Sequence, residues 1–121
     1  MNTHEKINYV EFPSLDIEVA KHFFTEVFSW KFTDYGPDYT AFSDEGLDGG
    51  FFKSEQHSSC TNGAALVIFY SNDLNETLDK IVKAKGKIIK DIFPFPGGSR
   101  FHFSDPNGNE YAVWSDVRVE N

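Results

Sequence analysis

Two apolar stripes at helical spacing, each set among short runs of alternating residues, organise this chain. In the first, Ile17, Ala20, Phe24, Val27 and Phe28 recur behind Asp16, a good helix N-cap. In the second, Leu74, Leu78, Ile81 and Val82 follow Asp73, with Glu76 at the reciprocal capping position. Lys83 and Lys85 favour that helix's C-terminus and Gly86 ends it. An extended apolar segment at 7–12 precedes the first helix, and strand-like pieces at 31–33, 39–43 and 49–53 follow it. Gly36-Pro37-Asp38 and Asp44-Glu45-Gly46 separate them as turns. The second helix likewise lies between 64–70 and three further strands at 87–92, 99–104 and 110–116.

The order strand–helix–strand–strand–strand therefore occurs twice, and Phe42-Ser43-Asp44 echoes Phe103-Ser104-Asp105. Neither half can bury both faces of its own sheet, whereas two halves together can. The fold class expected is α+β: two βαβββ modules in one chain, forming a curved mixed-sheet cup with helices on its convex side. Module one spans about 5–54, a polar linker about 54–63, and module two about 63–118, within a single domain over 1–121.

The segment from Phe103 to Trp114 contains Asp105-Pro106-Asn107-Gly108, a tight-turn signal flanked by aromatic and β-branched residues, and reads as a β-hairpin. With the duplication, it resembles the C-terminal signature of the vicinal oxygen chelate superfamily, which comprises glyoxalase I, extradiol dioxygenases and bleomycin-resistance proteins. Asn8-Tyr9-Val10-Glu11-Phe12 and Phe23 to Trp30 resemble a glyoxalase-related branch of unassigned activity. Ser29 stands where that branch usually ends its helix with glycine.

The resemblance implies metal ligands on the concave face, from the first and last strands of each module. Counted from Asp16, Asp73 and the turn glycine, those positions fall on Tyr9, Leu66, Ala112 and, by the internal repeat, Gly50. Zinc, nickel, manganese and iron want imidazole, carboxylate or thiolate. The expectation is no metal ligand and no cofactor, with a divalent metal only if the slot assignment is wrong.

Strand parity then decides what else faces the cup. Val10 and Phe12 suit the helix side, turning Tyr9 and Glu11 inward; Phe101 and Phe103 suit the core, turning Arg100 and His102 inward. Tyr111 and Val113 likewise turn Glu110, Ala112 and Trp114 inward. Glu11 in an aromatic cup would have a raised pKa from desolvation and could act as general base or acid; the plainer reading pairs it with Arg100 or a rim lysine. His102 could shuttle protons or bind a ligand carbonyl, or simply be hydrogen-bonded within the sheet. Tyr9 and Trp114 could stack on a planar ligand or merely pack. Glu110, beside the turn, reads as solvated. Catalytic candidates are thus Glu11 and His102, and ligand-binding candidates Tyr9, Glu11, His102 and Trp114. His4, His22 and His57 have no partner at useful spacing. Cys60 is a linker thiol with nothing in its neighbourhood to suggest a lowered pKa, and Gly49-Gly50 and Gly97-Gly98 read as bulges.

A formal charge of −8 speaks against a nucleic-acid partner and is compatible with a cationic ligand. One cysteine excludes an intrachain disulfide and any multi-thiolate metal site. No apolar stretch spans a bilayer and the first residues lack a signal-peptide layout, so no membrane partner and a cytoplasmic location are expected. Three functions fit. The first is metal-independent binding of a small, partly hydrophobic or cationic molecule, as in bleomycin-resistance relatives. The second is a glyoxalase-type lyase or isomerase, metal-dependent or using Glu11 and His102 for proton transfer. The third is a protein-contact module. The resemblance also implies a homodimer.

Overall fold

The structure, a computed structural model, describes residues 2–117. Met1 and residues 118–121 lie outside it, including the last residue assigned to module two and both termini of the domain assigned to 1–121. The elements run β1 (Tyr9–Ser14), α1 (Ile17–Phe28), β2 (Phe32–Asp34), β3 (Tyr39–Glu45), β4 (Leu47–Lys53), β5 (Val67–Tyr70), α2 (Leu74–Lys83), β6 (Lys87–Phe95), β7 (Gly98–Ser104) and β8 (Glu110–Ser115). A short 3₁₀ turn at Cys60–Asn62 interrupts the linker. The chain forms two four-stranded mixed sheets of the same order, β1-β4-β3-β2 and β5-β8-β7-β6. The first strand of each module pairs in parallel with the last, and the other pairs are antiparallel. This is the duplicated α+β architecture expected from the sequence.

Both helices start where the caps place them. Asp16 Oδ1 accepts from Val19 N at 3.2 Å, and Asp73 Oδ1 from Glu76 N at 3.2 Å. The reciprocal bond expected from Glu76 is instead made locally, because Ser71 Oγ takes the Asp73 N–H at 3.0 Å. Ser29 adopts the left-handed conformation (φ 61°) that its helix-ending position demands, with its N–H bonded to Thr25 O. At the end of α2 the left-handed residue is Lys85 (φ 79°) rather than Gly86. Gly86 is required for a different reason: a Cβ there would meet Ile81 and Phe23. Neither glycine pair is a bulge: Gly97 and Gly98 lie where β6 turns into β7, with Gly98 paired to Phe95. Gly49 and Gly50 pair with β1 and β3 in unbroken register. The register shifts lie between Phe42 and Glu45, and twice in β6.

One aromatic core joins the modules. The Phe24 ring on α1 lies 4.7 Å from Trp30, 5.4 Å from Phe51 and 5.5 Å from Tyr111. Phe12 of β1 lies 5.3 Å from Tyr111 of β8. The 105–108 turn adds a polar clasp. Asp105 accepts from Asn107 N and Asn109 N, both at 3.0 Å, and from the Tyr111 hydroxyl at 2.8 Å. Asn109 Nδ2 donates to Pro13 O at 2.7 Å and Asn107 Nδ2 to Ser14 Oγ at 3.0 Å. The hairpin of module two therefore fixes the chain at the start of α1. Among the described residues no helix is long and apolar enough to cross a membrane.

Candidate functional site

Parity sorts the side chains as expected: Phe12, Phe101, Phe103, Tyr111 and Val113 are buried in the core. The two sheets can be superposed position by position through their registers. Gly50 lies between Glu11 and Ala41, and Ala112 between Ile68 and His102. Gly50 and Ala112 thus occupy the same place, as do Glu11 and Ile68, Ala41 and His102, Asp48 and Glu110, and Tyr39 and Arg100.

On module one's concave face, the missing side chain at Gly50 leaves room for Tyr39. A Cβ built on Gly50 would land on the Tyr39 hydroxyl. That hydroxyl donates to Glu11 Oε2 at 2.9 Å, so its 2.6 Å bond to Tyr9 is donated by Tyr9. Burial first, then the bonds to Tyr9 and Glu11, hold the Tyr39 hydroxyl far above the ordinary phenol range. Glu11 is exposed, so the desolvation expected of it is not present in the chain. Beside this cluster, at the β3–β4 hairpin, lies a cleft of about 560 Å³ walled by Tyr9, Tyr35, Lys31, Asp44, Glu45 and Asp48. Burial, then repulsion from Asp44, raises the pKa of Glu45.

Module two carries a different network. His102 Nε2 faces Arg100, at 3.2 Å from Nε and 2.9 Å from Nη2. Arg100 can only donate, so Nε2 accepts and the ring proton sits on Nδ1, pointing at Glu110 Oε2 3.4 Å away. Burial lowers the His102 pKa; Arg100 and Lys90 add to the fall while Glu110 opposes it. Burial would raise Glu110, but the Cys60 N–H (3.0 Å to Oε1), the Cys60 thiol and His102 outweigh it and hold Glu110 below the usual range. The Cys60 thiol is pushed up, chiefly by its hydrogen bond to Glu110 and then by burial. Trp114 packs at 5.1 Å from Tyr70 and 6.3 Å from Phe95.

The candidates therefore fall into separate groups. Tyr9 and Glu11 meet through Tyr39; His102 joins Arg100, Glu110 and Cys60; Trp114 stands with Tyr70 and Phe95. Glu11 bonds neither Arg100 nor His102 among the described residues. Glu110 is not solvated beside the turn as expected: its side chain is 10% exposed, because the linker folds back over it. Parity already turned Glu110 inward, but nothing local in the sequence brings Cys60 to it. Tyr39 was legible as a strand residue, and only its pairing with a glycine strand marks it as a site residue.

The residues at the four positions that the resemblance assigns to metal ligands do not fit a metal. Gly50 has no side chain and its space belongs to Tyr39, while Leu66 and the buried Ala112 offer no donor atom. Tyr9 alone cannot hold a divalent ion. A different donor set does converge: one ligand atom each from Cys60, His102 and Glu110 lie within 4.8 Å of one another.

Residues 6–113 match the family model described as Glyoxalase/Bleomycin resistance protein/Dioxygenase superfamily. A glyoxylase-like domain-containing protein of Didymella fabae is 30% identical, the alignment covering 93% of this chain and 95% of that one. Among solved structures, a glyoxalase/bleomycin resistance protein/dioxygenase family enzyme from Burkholderia phytofirmans PsJN superposes with TM-score 0.77 at 16% identity, covering 93% of this chain and 99% of that one. Lactoylglutathione lyase from Agrobacterium tumefaciens gives 0.68 at 16% identity, covering 94% and 96%.

Proposed function

The chain belongs to the glyoxalase/bleomycin resistance protein/dioxygenase superfamily, and within it we propose that it binds a small, partly aromatic cation on module one's concave face without a metal. The observation that carries this reading is the hairpin cleft, whose lining brings three carboxylates, Asp44, Glu45 and Asp48, together with one lysine, Lys31, and with Tyr9 and Tyr35. Carboxylates crowded in one cleft repel each other, and a bound cation relieves that repulsion. Tyr9 and Tyr35 at the same cleft offer aromatic rings to an ammonium group. The absence of side-chain donors at three of the four superfamily metal positions also supports a cleft that works by charge and aromatic contact.

The proton-transfer alternative rests on Glu11 and His102 acting together, and they sit in different networks. In addition, Arg100 already occupies the one ring nitrogen of His102 that could accept a proton.

Titration calorimetry with phenyltrimethylammonium and its neutral isostere tert-butylbenzene tests the reading. Expected are binding of the cation alone, weakening with salt, about tenfold loss in Asp48→Asn, and no change with EDTA. Asparagine retains the Oδ1 that accepts the Asp44 N–H at 3.2 Å, so the hairpin is preserved. Equal binding of the neutral isostere, or loss of binding in EDTA, would overturn the reading.

A further inference from the structure

Module two and the linker together hold three chemically different metal donors that the superfamily's metal positions do not include. Cys60 comes from the 3₁₀ turn of the linker, His102 from β7 and Glu110 from β8. Three long-range bonds fix the linker there: Ser58 N to Asn109 Oδ1 (2.8 Å), Glu110 N to Ser58 O (2.7 Å) and Cys60 N to Glu110 Oε1 (3.0 Å). From this convergence we infer that Cys60, His102 through Nδ1, and Glu110 form a binding site for a borderline-soft divalent cation of the zinc class, with its fourth position open to solvent on the exposed Cys60 side.

The spacing suits an ion better than a hydrogen bond. His102 Nδ1 and Glu110 Oε2 are 3.4 Å apart, long for a charge-assisted bond. Two ligands about 2.0–2.1 Å from one tetrahedral ion stand about 3.3 Å apart. All three donor atoms fall within 4.8 Å, so small side-chain turns bring them onto one centre. Thiolate with imidazole and carboxylate favours zinc over magnesium or calcium, which prefer oxygen alone.

Binding moves protons in a defined way. Cys60 gives its thiol proton to solvent. The ring proton of His102 shifts from Nδ1 to Nε2, so one proton is released per ion. That shift sets Nε2–H against Arg100, which has only N–H groups to offer. A metal-bound histidine normally gives its second N–H to an acceptor. Arg100 is half-buried and has no carboxylate partner among the described residues, so it can turn away, but its charge weakens the site. A glutamine at the same position would supply the missing acceptor and remove the charge.

The site lies on module two and is independent of the cation cleft. Titration of the purified chain with Co²⁺, followed by competition with Zn²⁺, tests it. Expected are one ion per chain and a near-ultraviolet thiolate-to-cobalt band that zinc abolishes. Cys60→Ser should lose the band and weaken binding at least tenfold, as should His102→Ala. Arg100→Gln should tighten it several-fold. Circular dichroism keeps a fold defect in His102→Ala apart from a lost ligand. No band in the wild-type chain, substoichiometric uptake, or affinity unchanged in Cys60→Ser would overturn the assignment. Binding of phenyltrimethylammonium in EDTA separates this result from that of the cleft.

Discussion

The two concave faces have the same strand order and the same parity, yet they hold different chemistry. Where module one has Glu11, Ala41, Tyr39 and Asp48, module two has Ile68, His102, Arg100 and Glu110 in the equivalent places. The first face is acidic and phenolic around a glycine; the second joins a guanidinium, an imidazole, a carboxylate and a thiol. The helix-facing sides do not diverge in this way, since both contribute phenylalanines to one core. A core position must match its neighbours in volume whatever the function, while the concave positions answer to different partners in each module, Tyr39 in the first and the linker in the second. Duplication thus fixed the interior of each module and left its cup free to differ.

The comparison breaks first if the interior is not truly shared. Phe24 contacts Phe51 in module one and Phe69 and Tyr111 in module two. Phe24→Ala should cost about 3–5 kcal/mol, seen as a lower midpoint in urea with a single cooperative transition. Two transitions, with module two unaffected, would mean that the modules are stable separately and that the shared core is incidental.

A second test sets the two turns against each other. Asp105 and Asp44 follow the same Phe-Ser pair, but Asp105 is 2% exposed and Asp44 lies open. Burial pushes Asp105 up to about 6, against the Tyr111 hydroxyl and the N–H groups of Asn109, Asn107 and Gly108. A folded pKa above the unfolded one means that the folded state holds the proton more tightly. This group's contribution is therefore complete below about pH 4 and lost as pH rises through about 6. The wild-type chain should gain on the order of 2 kcal/mol from it between pH 7 and pH 4, relative to Asp105→Asn. Urea midpoints at several pH values measure the difference, with Asp44→Asn as the surface-charge control. A wild-type profile parallel to that of Asp105→Asn would show that the clasp holds its carboxylate ionised at no cost.

What could be read in the sequence follows the same division. Caps, apolar spacing and the Asp-Pro-Asn-Gly turn act within a few residues, so the elements, the duplication and the inward parity of Tyr9, Glu11, His102 and Trp114 were legible. The slot at Gly50 was legible too, because it occupies the register position of Ala112. The partners of those inward residues were not. Cys60 reaches Glu110 only because Ser58 bonds residues some fifty positions away. Tyr39 reaches Glu11 only because Gly50 leaves a gap between two strands that are distant in sequence. The α2 terminus differs for a partly related reason: a side chain at Gly86 would meet Phe23 on the other helix as well as Ile81 on its own, and only the second neighbour is local in the sequence.

The smallest expected effect separates the two halves of module one's own face. Tyr39→Phe removes the hydroxyl that links Tyr9 to Glu11 and keeps the ring that fills the space over Gly50. Both partners are exposed and can bond water instead, so the loss of stability should stay within about 0.5 kcal/mol. Tyr9 also lines the cation cleft, and without its bond to Tyr39 its ring is free to turn. Affinity for phenyltrimethylammonium should therefore fall by about threefold, an entropic loss of preorganisation rather than a lost contact. A loss of tenfold or more, matching Asp48→Asn, would move the centre of recognition from the hairpin carboxylates to the Tyr39–Glu11 pair. The contrast with module two would then lie in the Tyr39 and Arg100 positions rather than in the acidic hairpin.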